Sequence, residues 1–234
     1  MPLPYTGQNG ELNFEADVVE LLKKARWEHE VLKNKTIPEL IDNWKDILFE
    51  RNRTTLNNVP LSSDEMDRVM DVVRLQANTP VKANHFVNGR PIAIKRDSDS
   101  PDKQHAGHEV YLDLFSATEI AGGSSRYQIA EQTYFSTDPQ FNDRRGDITL
   151  LINGMPVIHI ELKASGVNVY EASNQIVKYA NEGVWSGFMG LVQVFWAMTP
   201  EDALFFANAG NPTAFNSAFF FRWGDRDNNV IKDW

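Results

Sequence analysis

Asp147, Glu161 and Lys163 are the residues of this chain whose types and spacing suggest catalysis. Asp147 precedes an apolar run, a turn follows, and a second apolar run carries Glu161 and Lys163. Hard cations such as Mg²⁺ take oxygen ligands and often use only one or two carboxylates. A bound metal can activate water and offset charge on a phosphate. The pattern therefore predicts metal-assisted hydrolysis of a phosphodiester, although a solvated strand edge would explain the three residues alone equally well.

Two β-strands must hold these residues together. The runs 147–152 and 156–163 are rich in β-formers, and the Asn-Gly pair between them is a strong hairpin signal. A plain two-residue turn with a regular ladder would pair Asp147 with Ile160 and turn Asp147 away from Glu161, because cross-strand partners share a face. We therefore predict an irregular hairpin, through a bulge, a longer turn or a bend at the glycine before the aspartate. A regular ladder would contradict the catalytic hypothesis.

A helix is expected after the second strand. Residues 170–179 read as helical, and Gln175 and Tyr179 share one helix face because they are four residues apart. The segment RRGDITLLINGMPVIHIELKASGVNVYEASNQIVKY resembles the nuclease domain of the restriction subunit of Type I restriction-modification enzymes. That family belongs to the PD-(D/E)xK nucleases and carries a Q-x-x-x-Y helix after its E-x-K strand. The similarity is dense over 126–180 and looser over the rest of the chain.

The resemblance implies a fold and a set of site residues. The fold is α/β, with a mixed central β-sheet flanked by helices as in restriction endonucleases. The implied catalytic residues are Asp147, Glu161, Lys163, Gln175 and Tyr179. The implied metal is Mg²⁺, which Mn²⁺ can replace, with Asp147 and Glu161 as ligands. Glu15, on the helix that resembles the family's opening helix, is a candidate third ligand, but an acidic first turn that favours the helix dipole explains it as well.

The resemblance also implies partners. Double-stranded DNA is the expected substrate, and the modification and specificity subunits of a Type I complex are the expected protein partners. In the family, ATP-driven translocating domains follow the nuclease domain. This sequence contains no GxxxxGK[ST] motif, so ATP is expected only for a full-length protein of which this chain is a fragment.

Two residues near the pattern need their own interpretation. Gly146 stands where the family usually has proline before the aspartate, and glycine also permits a sharp bend. His159 shares a strand face with Glu161, but we interpret it as a neutral structural histidine rather than a metal ligand.

Composition limits the classes of function. The chain has 234 residues, a net charge of −9 and no cysteine. The absence of cysteine excludes disulfides and thiolate zinc sites and agrees with a cytoplasmic protein. No apolar run is as long as a membrane span, so no membrane partner is expected. Because phosphate contacts dominate affinity for nucleic acid, an acidic domain should bind DNA weakly alone.

We expect one domain over residues 1–234, with a helical part at about 12–76 and a catalytic core at about 90–223. Helices are predicted over 12–31, 37–51 and from Ser62 or Ser63 to about Leu75. Residues 79–88 are predicted as loop or short strand. One sheet is predicted from strands at 90–96, 109–114, 126–135, 147–163, 191–198, 203–207 and 218–223. We interpret the aromatic residues of 195–223 as buried core rather than as a surface that stacks on bases.

Two alternatives remain at this point. One is a PD-(D/E)xK nuclease of another type, such as a repair nuclease, which a Q-x-x-x-Y helix far from the metal would favour. The other is a non-catalytic docking module of a DNA-modifying complex, with which the negative charge agrees. Metal binding separates them, because a docking module has no need for a divalent cation at Asp147 and Glu161.

Overall fold

The computed structural model describes residues 5–7, 9–87, 91–115, 124–135, 140–142, 144–227 and 229–230. Its second and third helices match the sequence-based expectation because their first turns are capped. Helix α2 (Ile37–Arg51) follows Thr36, whose backbone N–H donates to the Glu39 side chain at 2.8 Å. Helix α3 (Ser63–Gln76) follows Ser62, whose hydroxyl accepts from the Glu65 N–H at 3.0 Å. Each cap satisfies backbone donors that the first helical turn leaves unpaired.

The prediction for the first helix was too long. Helix α1 spans Gly10–Lys24, and residues Val31–Lys33 form strand β1 instead of helix. The helix ends because Arg26 adopts a left-handed backbone with φ +75°. The residues after the helix connect it to β1. Among them, Trp27 packs edge-on against Tyr127, with the ring centroids 5.6 Å apart.

The prediction of a loop or short strand over 79–88 was wrong. Residues Pro80–Val87 form helix α4, and Asn88 lies outside the described residues. Proline at the first helical position fits a helix start, because its fixed φ suits the helix and its missing N–H is not needed there. Ala83, Phe86 and Val87 are buried at helical spacing, so tertiary packing completes this short helix.

Among the described residues, the central sheet has seven strands in the order β1-β4-β5-β6-β7-β8-β9. Its remaining members are β4 (Tyr127–Phe135), β5 (Arg144–Ile152), β6 (Met155–Leu162), β7 (Val194–Thr199), β8 (Asp202–Ala207) and β9 (Phe221–Arg222). The β1–β4 and β6–β7 pairs are parallel and the other pairs are antiparallel. Helix α5 (Val169–Asn181) lies in the crossover between β6 and β7. The expected mixed α/β architecture is therefore confirmed.

The strands β2 (Ile92–Lys95) and β3 (Glu109–Leu112) do not join this sheet, contrary to the sequence-based expectation. They pair with each other as a separate antiparallel hairpin. Polar contacts attach the hairpin to α3, because the buried Arg96 guanidinium lies 3.3 Å from the Glu65 carboxylate. The part of the predicted strand before residue 91 lies outside the described residues.

The central sheet is covered on both faces. On one face, α1 buries Phe14, Val18 and Val19 against alternate apolar residues of β5 and β6 such as Ile148 and Ile160. On the other face, a larger core includes side chains from α2, α3, α4 and α5. The helices α1 and α5 thus approach the central hairpin from opposite sides.

The aromatic residues after 195 have two different environments. Phe195 and Phe206 are buried at 0% and 2% exposure, as the core interpretation predicted. Phe219, Phe221 and Trp223 are 65%, 54% and 48% exposed, so the core interpretation was wrong for this last segment. The strand predicted over 218–223 is reduced to two residues after a short 3₁₀ turn. None of the helices in the described parts of the chain combines the length and apolar character needed to cross a bilayer.

Candidate active site

The hairpin of β5 and β6 contains the predicted irregularity. Asn153 and Gly154 form its turn, with φ of +51° and +83°. Leu151 pairs with Pro156, but Leu150 pairs with Ile158, so one residue of β6 is bulged out between these pairs. Continuing the ladder beyond its Ile148–Ile160 pair brings Asp147 opposite Glu161. The bulge therefore gives these two carboxylates a common face of the sheet.

Asp147 is held by the backbone of the neighbouring strand. Its Oδ2 accepts a hydrogen bond from the Leu162 N–H at 2.7 Å. Burial and the nearby Glu161 charge together raise the pKa of the Asp147 carboxyl to about 8, against the lowering effect of the Leu162 N–H. Because ionising this carboxyl group is costly here, a bound cation would stabilise its ionised form.

Glu161 is fully buried, and each of its oxygens has a different neighbour. Oε2 lies 3.0 Å from Nε2 of His159. Oε1 accepts a short hydrogen bond from the Gln175 side-chain amide and lies 3.9 Å from the Lys163 Nζ. Burial raises the pKa of Glu161 to about 8, and the Lys163 charge opposes that rise.

Lys163 lies just after β6, between the carboxylate pair and α1. Its Nζ donates to the Leu162 carbonyl at 2.8 Å and lies 3.6 Å from Oε2 of Glu11. Sequence reasoning did not single out Glu11. The sequence does indicate this residue, because Glu11 precedes Glu15 by one helical turn and so shares its face of α1. The lysine ammonium is therefore held near the carboxylates by acidic groups from two elements.

Gln175 and Tyr179 lie where the Q-x-x-x-Y pattern predicted, on the face of α5 that contacts the hairpin. The Gln175 amide donates to the Tyr179 hydroxyl at 2.6 Å as well as to Glu161. The Tyr179 hydroxyl donates to the Arg145 carbonyl at 3.1 Å. Burial raises the pKa of Tyr179, so its hydroxyl stays protonated. The two side chains link α5 to both strands of the β5–β6 hairpin.

Glu15 reaches the same region from α1. It is 2% exposed, and its Oε2 accepts from the Gln132 side-chain amide at 2.6 Å. Gln132 lies in β4 beside Asp147 and has a left-handed backbone with φ +58°. Burial and the Asp147 charge raise the pKa of Glu15 to about 7. Its Oε1 is buried without a hydrogen-bond partner among the described residues.

A divalent cation fits this donor set. The orphaned Glu15 oxygen and the raised pKa values of Asp147 and Glu161 all mark carboxyl groups whose ionised forms lack a sufficient positive partner. Within the described ranges, no three His, Asp or Glu side chains converge closely enough to form a metal site by themselves. A hard cation such as Mg²⁺ often keeps several waters and uses only one or two carboxylates, so a two-carboxylate site is chemically sufficient.

Gly146 is explained by the space around it. A Cβ at this position would meet the Phe135 ring and would lie 2.6 Å from Cε1 of His159. His159 itself is fully buried, and burial lowers the pKa of its imidazole to about 4. The neutral state expected from the sequence agrees with this environment. Glycine before the aspartate thus makes room for two rings that pack beneath the site.

The basic residues near the site are partly neutralised. Arg144 makes two hydrogen bonds of 2.6 Å to the Glu182 carboxylate. Lys163 faces Glu11 and Glu161, as described above. The net charge of −9 over the whole chain adds an acidic background to this partial neutralisation.

Comparison with known proteins identifies the family of this chain. The family described as Type I restriction enzyme R protein N terminus matches residues 11–214. The chain is 28% identical over 221 residues to the Type I restriction enzyme SsaAORF53P endonuclease subunit of Staphylococcus saprophyticus. It is 25% identical over 221 residues to the SauMSSORF170P endonuclease subunit of Staphylococcus aureus. These alignments cover 94% of this chain and 22% of each relative.

A shorter alignment has a higher sequence identity. The chain is 37% identical over 91 residues to the Type I restriction enzyme EcoprrI endonuclease subunit of Escherichia coli, which covers 38% of this chain and 29% of that relative. The family match extends over most of the chain, from α1 to the residues after β8. The chain therefore belongs to the family of Type I restriction enzyme R protein N-terminal domains.

Proposed function

We propose that this domain is a metal-dependent endonuclease that hydrolyses phosphodiester bonds in double-stranded DNA. The observation that carries the proposal is the bulge in β6, which gives Asp147 and Glu161 a common face with Lys163 beside them. The names of the relatives, all endonuclease subunits of Type I restriction enzymes, support the same activity.

Each residue of the site has a distinct task in this proposal. Asp147 and Glu161 hold Mg²⁺ or Mn²⁺, and Glu15 supports the same charge from α1. When bound, the metal would offset charge on the phosphodiester and make water a better nucleophile. The Lys163 ammonium orients the attacking water and stabilises the negative charge that develops on the phosphate.

Gln175 and Tyr179 act as orienting groups. The Gln175 amide fixes one oxygen of Glu161, and Tyr179 fixes Gln175 in turn. This contact places the Q-x-x-x-Y helix at the carboxylate pair. It favours a Type I restriction nuclease over a PD-(D/E)xK nuclease of another type, for which that helix would lie elsewhere.

The chain spans about a fifth of the length of the two Staphylococcus relatives. We propose that delivery to DNA depends on the remainder of such a protein and on modification and specificity subunits. ATP would be used by other domains, and the acidic surface of this domain agrees with a module that is brought to DNA by a larger assembly.

Cleavage of supercoiled plasmid at low salt with Mn²⁺ tests the proposal. We expect cleavage by the wild type and by Asp67→Asn, a control at an exposed carboxylate of α3. Asp147→Ala, Glu161→Gln and Lys163→Met should each lower the rate by about 100-fold or more, because each removes a group that meets charge in the transition state. Cleavage retained by all three variants would refute the assignment. A folded wild type that neither cuts nor binds metal would instead support the docking module.

A further inference from the structure

Both ring nitrogens of His159 lie near polar side chains, which a purely apolar packing role does not require. It is fully buried in the middle of β6. Its Nδ1 lies 3.2 Å from the Thr149 hydroxyl on the paired strand. Its Nε2 lies 3.0 Å from Oε2 of Glu161. Both ring nitrogens thus have a side-chain partner, and one partner is a proposed metal ligand.

Aromatic rings fix the orientation of this imidazole. The Phe135 ring packs edge-on to it at 5.5 Å, and the Trp185 ring lies 4.9 Å away. Gly146 lies against the ring at a distance that would exclude a methyl group. Because the ring is enclosed on these sides, His159 has little freedom to swing away from Glu161.

The two oxygens of Glu161 have different hydrogen-bond partners. A neutral imidazole carries one proton, which either ring nitrogen can hold. With the proton on Nε2, the ring donates to Oε2 of Glu161 and its Nδ1 accepts from the Thr149 hydroxyl. The other oxygen, Oε1, faces the Gln175 amide and the Lys163 ammonium. One oxygen is therefore held inside the fold, and the other is directed toward the residues of the proposed reaction.

We propose that His159 is a positioning residue: its Nε2–H holds Oε2 of Glu161, so that Oε1 is the oxygen presented to the divalent cation. This role rests on the proposed function. It concerns a residue that contacts neither DNA nor the metal and acts only through the carboxylate. Hydrogen-bonded neighbours of metal ligands typically change metal affinity about 10–100-fold when they are removed.

Calorimetric titration measures Mn²⁺ affinity in two variants whose new side chains have similar length. His159→Met removes the donor, whereas His159→Gln keeps a side-chain N–H that can reach Oε2. We expect Mn²⁺ to bind about 10–100-fold more weakly to His159→Met and within about 3-fold of the wild type to His159→Gln. The imidazole ¹⁵N resonances of the Mg²⁺-bound wild type should report the Nε2–H tautomer.

The outcomes separate this role from the proposed function. Equal Mn²⁺ affinity in the wild type and His159→Met, or equal weakening in both variants, would overturn the positioning role alone. A wild type that binds no Mn²⁺ would overturn the proposed function and this role with it. If His159→Met does not fold, the nearly isosteric Thr149→Val tests the same chain of hydrogen bonds. An affinity in that variant equal to the wild type would then overturn the role.

Discussion

Neutralising Glu161 should make the metal-free protein more stable, although it should also abolish metal binding. Glu161 is fully buried, and burial raises the pKa of its carboxyl from 4.5 to about 8. The folded state therefore binds this proton more tightly than the unfolded state does. The contribution to the free energy of unfolding is complete below the unfolded pKa and is lost as pH rises toward about 8.

The size of this change in the free energy of unfolding follows from the shift in the pKa of Glu161. At about 1.4 kcal/mol per pKa unit, the free energy of unfolding at pH 7 falls by up to about 3 kcal/mol, because the unfolded chain ionises Glu161 while the folded state keeps it protonated. Water that enters a metal-free site screens part of this cost, so we expect about 1–2 kcal/mol. Glu161→Gln has nearly the same shape and no charge. The variant should match the wild type at about pH 5 and exceed its stability by this amount at pH 7–8.

Urea unfolding in EDTA at several pH values measures the difference. Saturating Mn²⁺ should then stabilise the wild type, by about 2.7 kcal/mol at 100 times the dissociation constant, and leave Glu161→Gln unchanged. The reasoning is refuted if the two proteins show parallel pH dependence in EDTA. It is also refuted if the variant is the less stable protein at pH 8.

Three further changes test other parts of the structure. Gly146→Ala should destabilise the fold by about 1–3 kcal/mol in thermal or urea unfolding, because its methyl group would overlap the Phe135 and His159 rings. Asn153→Ala should cost about 2–3 kcal/mol in the same assay, since it places alanine at φ +51° and removes buried hydrogen bonds, one of 2.9 Å from a backbone N–H. Glu15→Gln should weaken Mn²⁺ binding by about 10-fold in calorimetry without loss of the fold, because it removes nearby negative charge.

Each of these predictions has a clear contradiction. Unchanged stability in Gly146→Ala would mean that the rings can move aside. Unchanged stability in Asn153→Ala would mean that the turn does not depend on its side chain. Unchanged Mn²⁺ affinity in Glu15→Gln would limit the role of Glu15 to packing at the start of the sheet.

The irregular hairpin shows what the sequence determines. The requirement that Asp147 and Glu161 share a face, set against the register implied by an Asn-Gly turn, was enough to predict an irregularity. The sequence left open which device would be used, because a bulge, a longer turn and a bend satisfy the same requirement. The structure uses a bulge in β6 and keeps the two-residue turn.

Other features depended on contacts between distant parts of the chain. Helix α4 is short, and its burial against the core completes it, so the local pattern after Thr79 resembled a loop. The β2–β3 hairpin leaves the central sheet because Arg96 and its neighbours attach it to α3. Glu11 joins the site only through the approach of α1 to the strands, and Gln132 only through the pairing of β4 with β5. Local periodicity carries no information about such pairings.

The central claim is that Asp147 and Glu161 form a metal centre. Titration of the wild type and of Asp147→Ala with Mn²⁺ by calorimetry tests it most directly. The account predicts that the wild type binds and that the folded variant does not. Binding of equal strength in both proteins, or a folded wild type that binds no Mn²⁺, would contradict it.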